Sequence, residues 1–313
     1  MENYTSIPSR QNAVKGILFV NLATLLWASN IVVGRTLASS IGPLTLSAAR
    51  FSLGGLFFAL LLFRNSPEKK LPSSSQERWL LLGMALAGVV AFSPLLYLGL
   101  RYTTVANTAL INGTGPLMTG LLALALLREP MSFRQITGAC IALGGIFLLL
   151  SQGSLTFLEG HHINRGDLFV IMGVALWGLY SVLGKMCMRN CSPLKATAIS
   201  TFMGLPLLYA LALVELQSFP VQWSLPLFGA ILYVGIGPAA LGFYAWNAGI
   251  ARLGPSGAMV FYNTLPLYGT LLGYFCLGEP LGIFHILGGA LIIGGGLWGS
   301  LRNEKAPSTE DNM

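Results

Sequence analysis

The sequence predicts an all-α integral membrane protein: ten transmembrane helices arranged as two inverted five-helix repeats around a central cavity. Three observations carry that prediction. Of 313 residues, 54% are hydrophobic and only 9% charged, and the mean hydropathy is +0.70. A soluble domain carries about 25% charged residues, so this chain lacks the means to cover a water-facing surface. The apolar residues fall into ten runs of membrane-crossing length, and the chain matches itself at a shift of 150 residues. The composition excludes an ordinary cytosolic enzyme, a secreted disulfide scaffold and a disordered chain.

About 20 apolar residues cross a bilayer as a helix. Such runs occupy roughly 17–37, 44–63, 79–100, 104–127 and 133–151, then 166–186, 194–216, 225–247, 256–277 and 283–301. The implied organisation is a cytoplasmic N-terminal segment 1–16, a first five-helix repeat 17–151, an outer linker 152–165, a second repeat 166–301 and a cytoplasmic tail 302–313. The first run is too long for a signal-peptide core and has no clear cleavage site, so it is expected to stay as a helix. The many glycines (38) and prolines (16) suit membrane helices, where neighbours re-satisfy freed backbone groups.

The net charge of +7 does not indicate a nucleic-acid partner, because the basic residues lie scattered between the apolar runs. They read as topology signals. With the N-terminus cytoplasmic, fourteen of the 18 fall on the cytoplasmic side and only Arg35, Arg50, Arg101 and Arg165 on the other. Both termini are then cytoplasmic, and the expected location is the plasma (bacterial inner) membrane. The four cysteines lack zinc-ligand spacing and read as free thiols, and no metal or cofactor is expected.

The internal repeat is the strongest signal. Leu26-Trp27 falls on Leu176-Trp177, Arg35 on Lys185, Glu129-Pro130 on Glu279-Pro280 and Gly144-Gly145 on Gly294-Gly295. Between 116–149 and 266–299, 11 of 34 positions are identical, against about three or four by chance in so Leu- and Gly-rich a chain. Five spans is an odd number, so the second repeat enters the membrane from the opposite side. Inverted repeats of this kind recur in secondary transporters, whose halves rock about a central site.

The chain carries Leu26-Trp27-Ala28-Ser29-Asn30, Ala48-Ala49-Arg50-Phe51, Pro116 with Glu129-Pro130, and their second-half partners Trp177, Pro266 and Glu279-Pro280. In this order of features it resembles the EamA-like branch of the drug/metabolite transporter superfamily, in its ten-helix, two-repeat form. The resemblance spans about 17–301 and implies ten helices around a cavity, alternating access, and export of amino acids or other small metabolites. It does not specify a substrate.

Candidate substrate-binding residues follow from polar and aromatic groups inside the spans. Trp27 and Asn30 share a face of the first span, and Trp177 and Tyr180 the matching face of the sixth. Asn112 stands in the fourth span, and Tyr262 and Asn263 at the matching point of the ninth. The third and eighth spans add Tyr97, Tyr244 and Asn247. For each the bland alternative is an interfacial anchor or an interhelical hydrogen bond. Pro116 and Pro266 read as hinges or kinks within the fourth and ninth spans. Arg50 lies inside the second span, where attraction of a substrate carboxylate competes with a structural role; the structural role is the expected one. The Glu-Pro corners are expected to fix turns between packed helices. Gly269 and Gly273, and Gly295 and Gly299, form small-residue faces that suit either joining the repeats or a homodimer.

The predicted partners are a small-molecule substrate and the lipid bilayer. Two other classes compete with the carrier: an integral membrane lipid-modifying enzyme and a passive channel. The enzyme would need a catalytic constellation at a membrane face. The spans offer no Asp-rich metal motif, no His pair and no G-x-S-x-G elbow, and His161-His162 in the linker is a weak ligand pair at most.

Overall fold

The computed structural model describes residues 10–65, 74–153, 164–188 and 191–300. The first nine residues, most of the 152–165 linker with His161-His162, and the tail 302–313 lie outside the described residues. Among the described residues all regular structure is helical. The elements are α1 (Arg10–Leu37), α2 (Pro43–Asn65), α3 (Ser75–Met84), α4 (Ser93–Gly99), α5 (Val105–Asn112), α6 (Gly115–Leu127) and α7 (Phe133–Ser151). The second half holds α8 (Arg165–Cys187), α9 (Pro193–Ser218), α10 (Leu225–Val234), α11 (Gly242–Tyr262), α12 (Thr264–Leu277) and α13 (Ile283–Ser300).

Among the described residues, eight helical stretches are long and apolar enough to cross a membrane, and two shorter apolar helices, Thr264–Leu277 and Ile283–Gly299, follow them. Their outer surfaces carry large apolar side chains that water would penalise: Phe63 is 89% exposed and Phe275 76%. Such a surface suits contact with lipid. The chain is a multi-pass integral membrane protein.

Local sequence fixes the helix ends. Ser74 and Glu77 form a capping box at α3, and Ser132 and Gln135 another at α7. The side chain of Asn164 accepts from Gly166 N at 2.8 Å to start α8. Helices α6 and α12 both end on a residue in the left-handed region, Arg128 (φ 55°) and Gly278 (φ 66°), each just before a Glu-Pro pair. Gly278 adopts this conformation without penalty, whereas Arg128 has a Cβ that disfavours it.

Two features depart from hydropathy. Between α3 and α4 the backbone adopts a π-helix, Ala85–Phe92, and between α10 and α11 another, Gly235–Leu241. Their first residues are 150 apart. The connection expected at 248–255 is helical, because α11 runs through it. Asn247 and Arg252 lower the hydropathy there, but hydropathy reports polarity and not the loss of backbone hydrogen bonds.

Pro116 and Pro266 do not kink continuous helices. The chain breaks before them, at Gly113–Thr114 and at Asn263, and each proline lies in the first turn of the next helix. There its missing N–H needs no partner.

The packing pattern repeats when the halves are exchanged. Helix α1 packs on α11 and α12 of the other half, and α8 packs on α3, the first π-helix, α4 and α6. Helices α2 and α9, α5 and α12, and α7 and α13 pair across the halves. Both small-residue faces are used within the chain. Gly138 meets Gly295 and Gly299 backbone to backbone, and Gly269 meets Ala109.

Candidate functional site

A chamber lies between the halves, with about 820 Å3 of space free of atoms, its mouth included. Its walls come from α1, α2, the first π-helix, α4 and α5 of one half, and from α8, α9, the second π-helix, α11 and α12 of the other.

Aromatic rings form one continuous belt around it. Trp27 and Trp177 sit 150 residues apart, and Phe243 bridges them, with ring centroids 5.6 and 6.5 Å away. Trp177 stacks on Tyr180 at 5.1 Å and 19°, and Phe92 lies 5.0 Å from Trp177. On the other side Trp27 meets Trp246 at 5.4 Å and Tyr262 at 6.2 Å. Such tilted and edge-on arrangements favour rings at these spacings.

The π-helices create the seats for these rings. Trp27 Nε1 donates to the carbonyl of Pro238 at 3.1 Å, inside the second π-helix. On the opposite wall Tyr180 fills the space over Gly88 of the first π-helix, where a Cβ would approach Tyr180 Cδ2 to 2.4 Å. Only glycine lets the ring lie so close.

The sequence-predicted residues divide by placement. Trp27, Asn30, Asn112, Trp177, Tyr180 and Tyr262 line the chamber. Tyr97 is buried behind it, donating from its hydroxyl to Asn30 Oδ1 at 2.7 Å. That bond orients Asn30. Asn263 and Pro116 line a second cavity instead, which also holds Thr119, Ser181 and Lys185 and abuts the chamber at the Gly113 and Asn263 helix breaks. Pro266 packs over Gly113.

Tyr244 and Asn247 are corrections. Both are exposed on the outer face of α11, and the adjacent pair Phe243 and Trp246 faces inward. Polarity suggested the face that holds Tyr244 and Asn247. Packing against Trp27 selects the neighbouring face, about 100° away on an α-helix. The sequence signal that finds Phe243 is the aromatic spacing Phe243–Trp246, at i and i+3.

Arg50 is buried, 5% exposed, and lines the chamber. One terminal nitrogen, Nη1, donates to Ser93 Oγ at 3.2 Å, the guanidinium lies 5.4 Å from the Phe51 ring, and buried Nε has no hydrogen-bond partner.

Beyond the Ile31, Tyr262 and Leu265 wall of the chamber lies a cluster of buried apolar side chains, among them Ile41, Leu46, Leu100, Val105 and Val234. Hydrogen bonds between the halves tie this region. Glu215 accepts from Leu44 N, Thr45 N and Thr45 Oγ1 at 2.8–3.1 Å. Glu279 accepts from Val105 N and Ala106 N at 2.9 and 3.2 Å. A carboxylate at a helix N-terminus satisfies orphan amides and complements the helix dipole. The matching corner behaves differently: Glu129 pairs with Lys185 at 2.6 Å near the surface.

The comparisons with known proteins agree with this architecture. The model of the EamA-like transporter family matches residues 14–151 and again 164–300. "Uncharacterized transporter YyaM" of Bacillus subtilis (strain 168) is 30% identical, covering 90% of this chain and 94% of its own. The "Probable terminal-alkyne amino-acid exporter" of Streptantibioticus cattleyicolor is 24% identical over 90% of this chain and 92% of its own. A solved crystal structure shares the fold at TM-score 0.60 with 22% identity, covering 91% of this chain and 96% of that one. With each half matched in turn and a transporter 30% identical over nine-tenths of the chain, the protein belongs to the EamA-like transporter family.

Proposed function

We propose that this protein is a secondary carrier for small amphipathic metabolites, amino acids or similar solutes, working by alternating access as an exporter. Ten spans, 17–151 and 166–301 as two five-helix repeats of opposite orientation, would enclose the chamber, with both termini cytoplasmic in the plasma membrane. The observation that carries the reading is the aromatic belt: two pseudo-equivalent tryptophans from opposite halves meet around one cavity. A rocking motion of the halves acts on a site to which both contribute.

The end packed with buried apolar side chains is read as the closed one. It is the end where α1 finishes and α2 begins. With the N-terminus cytoplasmic, that end is external, and the cavity beside Lys185 lies toward the cytoplasm. This arrangement suits loading from inside the cell. Trp27, Trp177, Tyr180 and Tyr262 hold the apolar part of the solute, and Asn30 and Asn112 meet its polar groups. The helix breaks before Pro116 and Pro266 serve as hinges. A homodimer would use surfaces other than the small-residue faces already packed within the chain.

The test is flux in proteoliposomes that hold purified protein, using labelled amino acids. Saturable counterflow that falls at least tenfold in Trp27→Ala and in Trp177→Ala supports the carrier. Flux without saturation or counterflow indicates a channel, and no flux across a broad metabolite panel rejects transport.

A further inference from the structure

Among the described residues, Arg50 is the only charged one on the chamber wall. An ionisable group at membrane depth is expected to pair with an opposite charge or to meet a ligand. Among the described residues no carboxylate lies within salt-bridge distance of Arg50. The five acidic residues there are engaged elsewhere. Glu77 caps α3, Glu129 holds Lys185, and Glu215 and Glu279 cap α2 and α5. Asp167 accepts from Thr103 and Asn107. Among the described residues the guanidinium has one hydrogen-bond partner, the neutral Ser93, and lies beside the Phe51 ring, and its Nε has no hydrogen-bond partner.

The repeat sharpens the point. The position matching Arg50 is Ser200, and the one matching Ser93 is Phe243. The charge therefore belongs to the first half alone, whereas aromatic rings come from both halves. A guanidinium recognises a carboxylate through paired N–H donors. One cation balances a monoanion but not a phosphate dianion. Among the described residues, no acidic one lines the chamber to hold an ammonium group.

We propose that the chamber takes monocarboxylates with an apolar or aromatic tail: Arg50 anchors the carboxylate, the belt from Trp27 to Trp177 holds the tail, and an α-ammonium group is dispensable. This rests on the reading of the chamber as the transport site.

The experiment compares 3-phenylpropanoate with 3-phenylpropanamide, which differ only in charge and one polar group, and adds L-phenylalanine. Binding is measured by calorimetric titration of the purified full chain in detergent. The acid and L-phenylalanine are expected to bind about tenfold or more tighter than the amide. Arg50→Gln removes that preference, and Arg50→Lys keeps part of it. Amide binding equal to acid binding on the unaltered protein overturns the proposal, even where Arg50→Gln fails to fold. Failure of the acid to bind overturns it as well. Proteoliposome counterflow separates the two readings. Counterflow of L-phenylalanine with no acid preference keeps the carrier and rejects the anchor. Arg50-dependent binding without any flux keeps the anchor and rejects the carrier.

Discussion

Adjacent glycines give a sharp test of how α7 and α13 pack. Gly144-Gly145 and Gly294-Gly295 are each a pair of identical residues, and each pair splits in the structure. A Cβ on Gly145 would meet Gly288 O at 2.7 Å, and one on Gly295 would meet Gly138 O at 2.5 Å. Cβ atoms on Gly144 and Gly294 would meet nothing within 4 Å. The blocking atoms are backbone, so no rotamer change relieves the clash. Ordinary contact begins near 3.4 Å, so the helices would have to part by about 0.7–0.9 Å at the substituted site. Overpacking of that kind costs about 1–3 kcal/mol. Replacing a helical Gly by Ala returns roughly 0.5–1 kcal/mol. Gly145→Ala and Gly295→Ala should therefore destabilise by up to about 2.5 kcal/mol. Gly144→Ala and Gly294→Ala should be neutral or slightly stabilising. Thermal unfolding in detergent should separate neighbours by on the order of 5 °C. Equal melting temperatures within each pair, or a lower value for Gly144→Ala than for Gly145→Ala, would refute the packing.

Three further outcomes are expected. Glu279→Ala uncaps α5 and should lower stability by about 1–2 kcal/mol, while Glu129→Ala removes an exposed ion pair and should cost about 0.5 kcal/mol or less; chemical unfolding of both variants compares them. Glu215→Ala loses three hydrogen bonds to the start of α2, and a melting curve should show a loss similar to that of Glu279→Ala. Phe243→Ala opens the bridge between Trp27 and Trp177 and should weaken solute binding about tenfold, whereas Tyr244→Ala should leave it within about twofold; titration of both variants with 3-phenylpropanoate decides between the two faces of α11.

Much of the candidate site was legible because it is duplicated. Trp27 and Trp177 announce themselves by the 150-residue shift, and both line the chamber. Phe243 has no such partner, since its counterpart is Ser93. Arg50 likewise faces Ser200 across the repeat. The residues that make the two walls differ are those that a search for repetition passes over. The Glu-Pro corners show the same limit. Their sequences match, yet Glu279 caps α5 and Glu129 pairs with Lys185.

The sequence alone determined that the chain is helical, apolar and duplicated, because hydropathy over about 20 residues and self-similarity are properties of the chain taken along its length. Packing in three dimensions set which face of α11 turns inward, which glycine of each pair is locked, and that Arg50 ends on a chamber wall with no carboxylate partner among the described residues. Those outcomes depend on atoms brought together from residues about 150 positions apart, and neither polarity nor spacing along one helix carries that information.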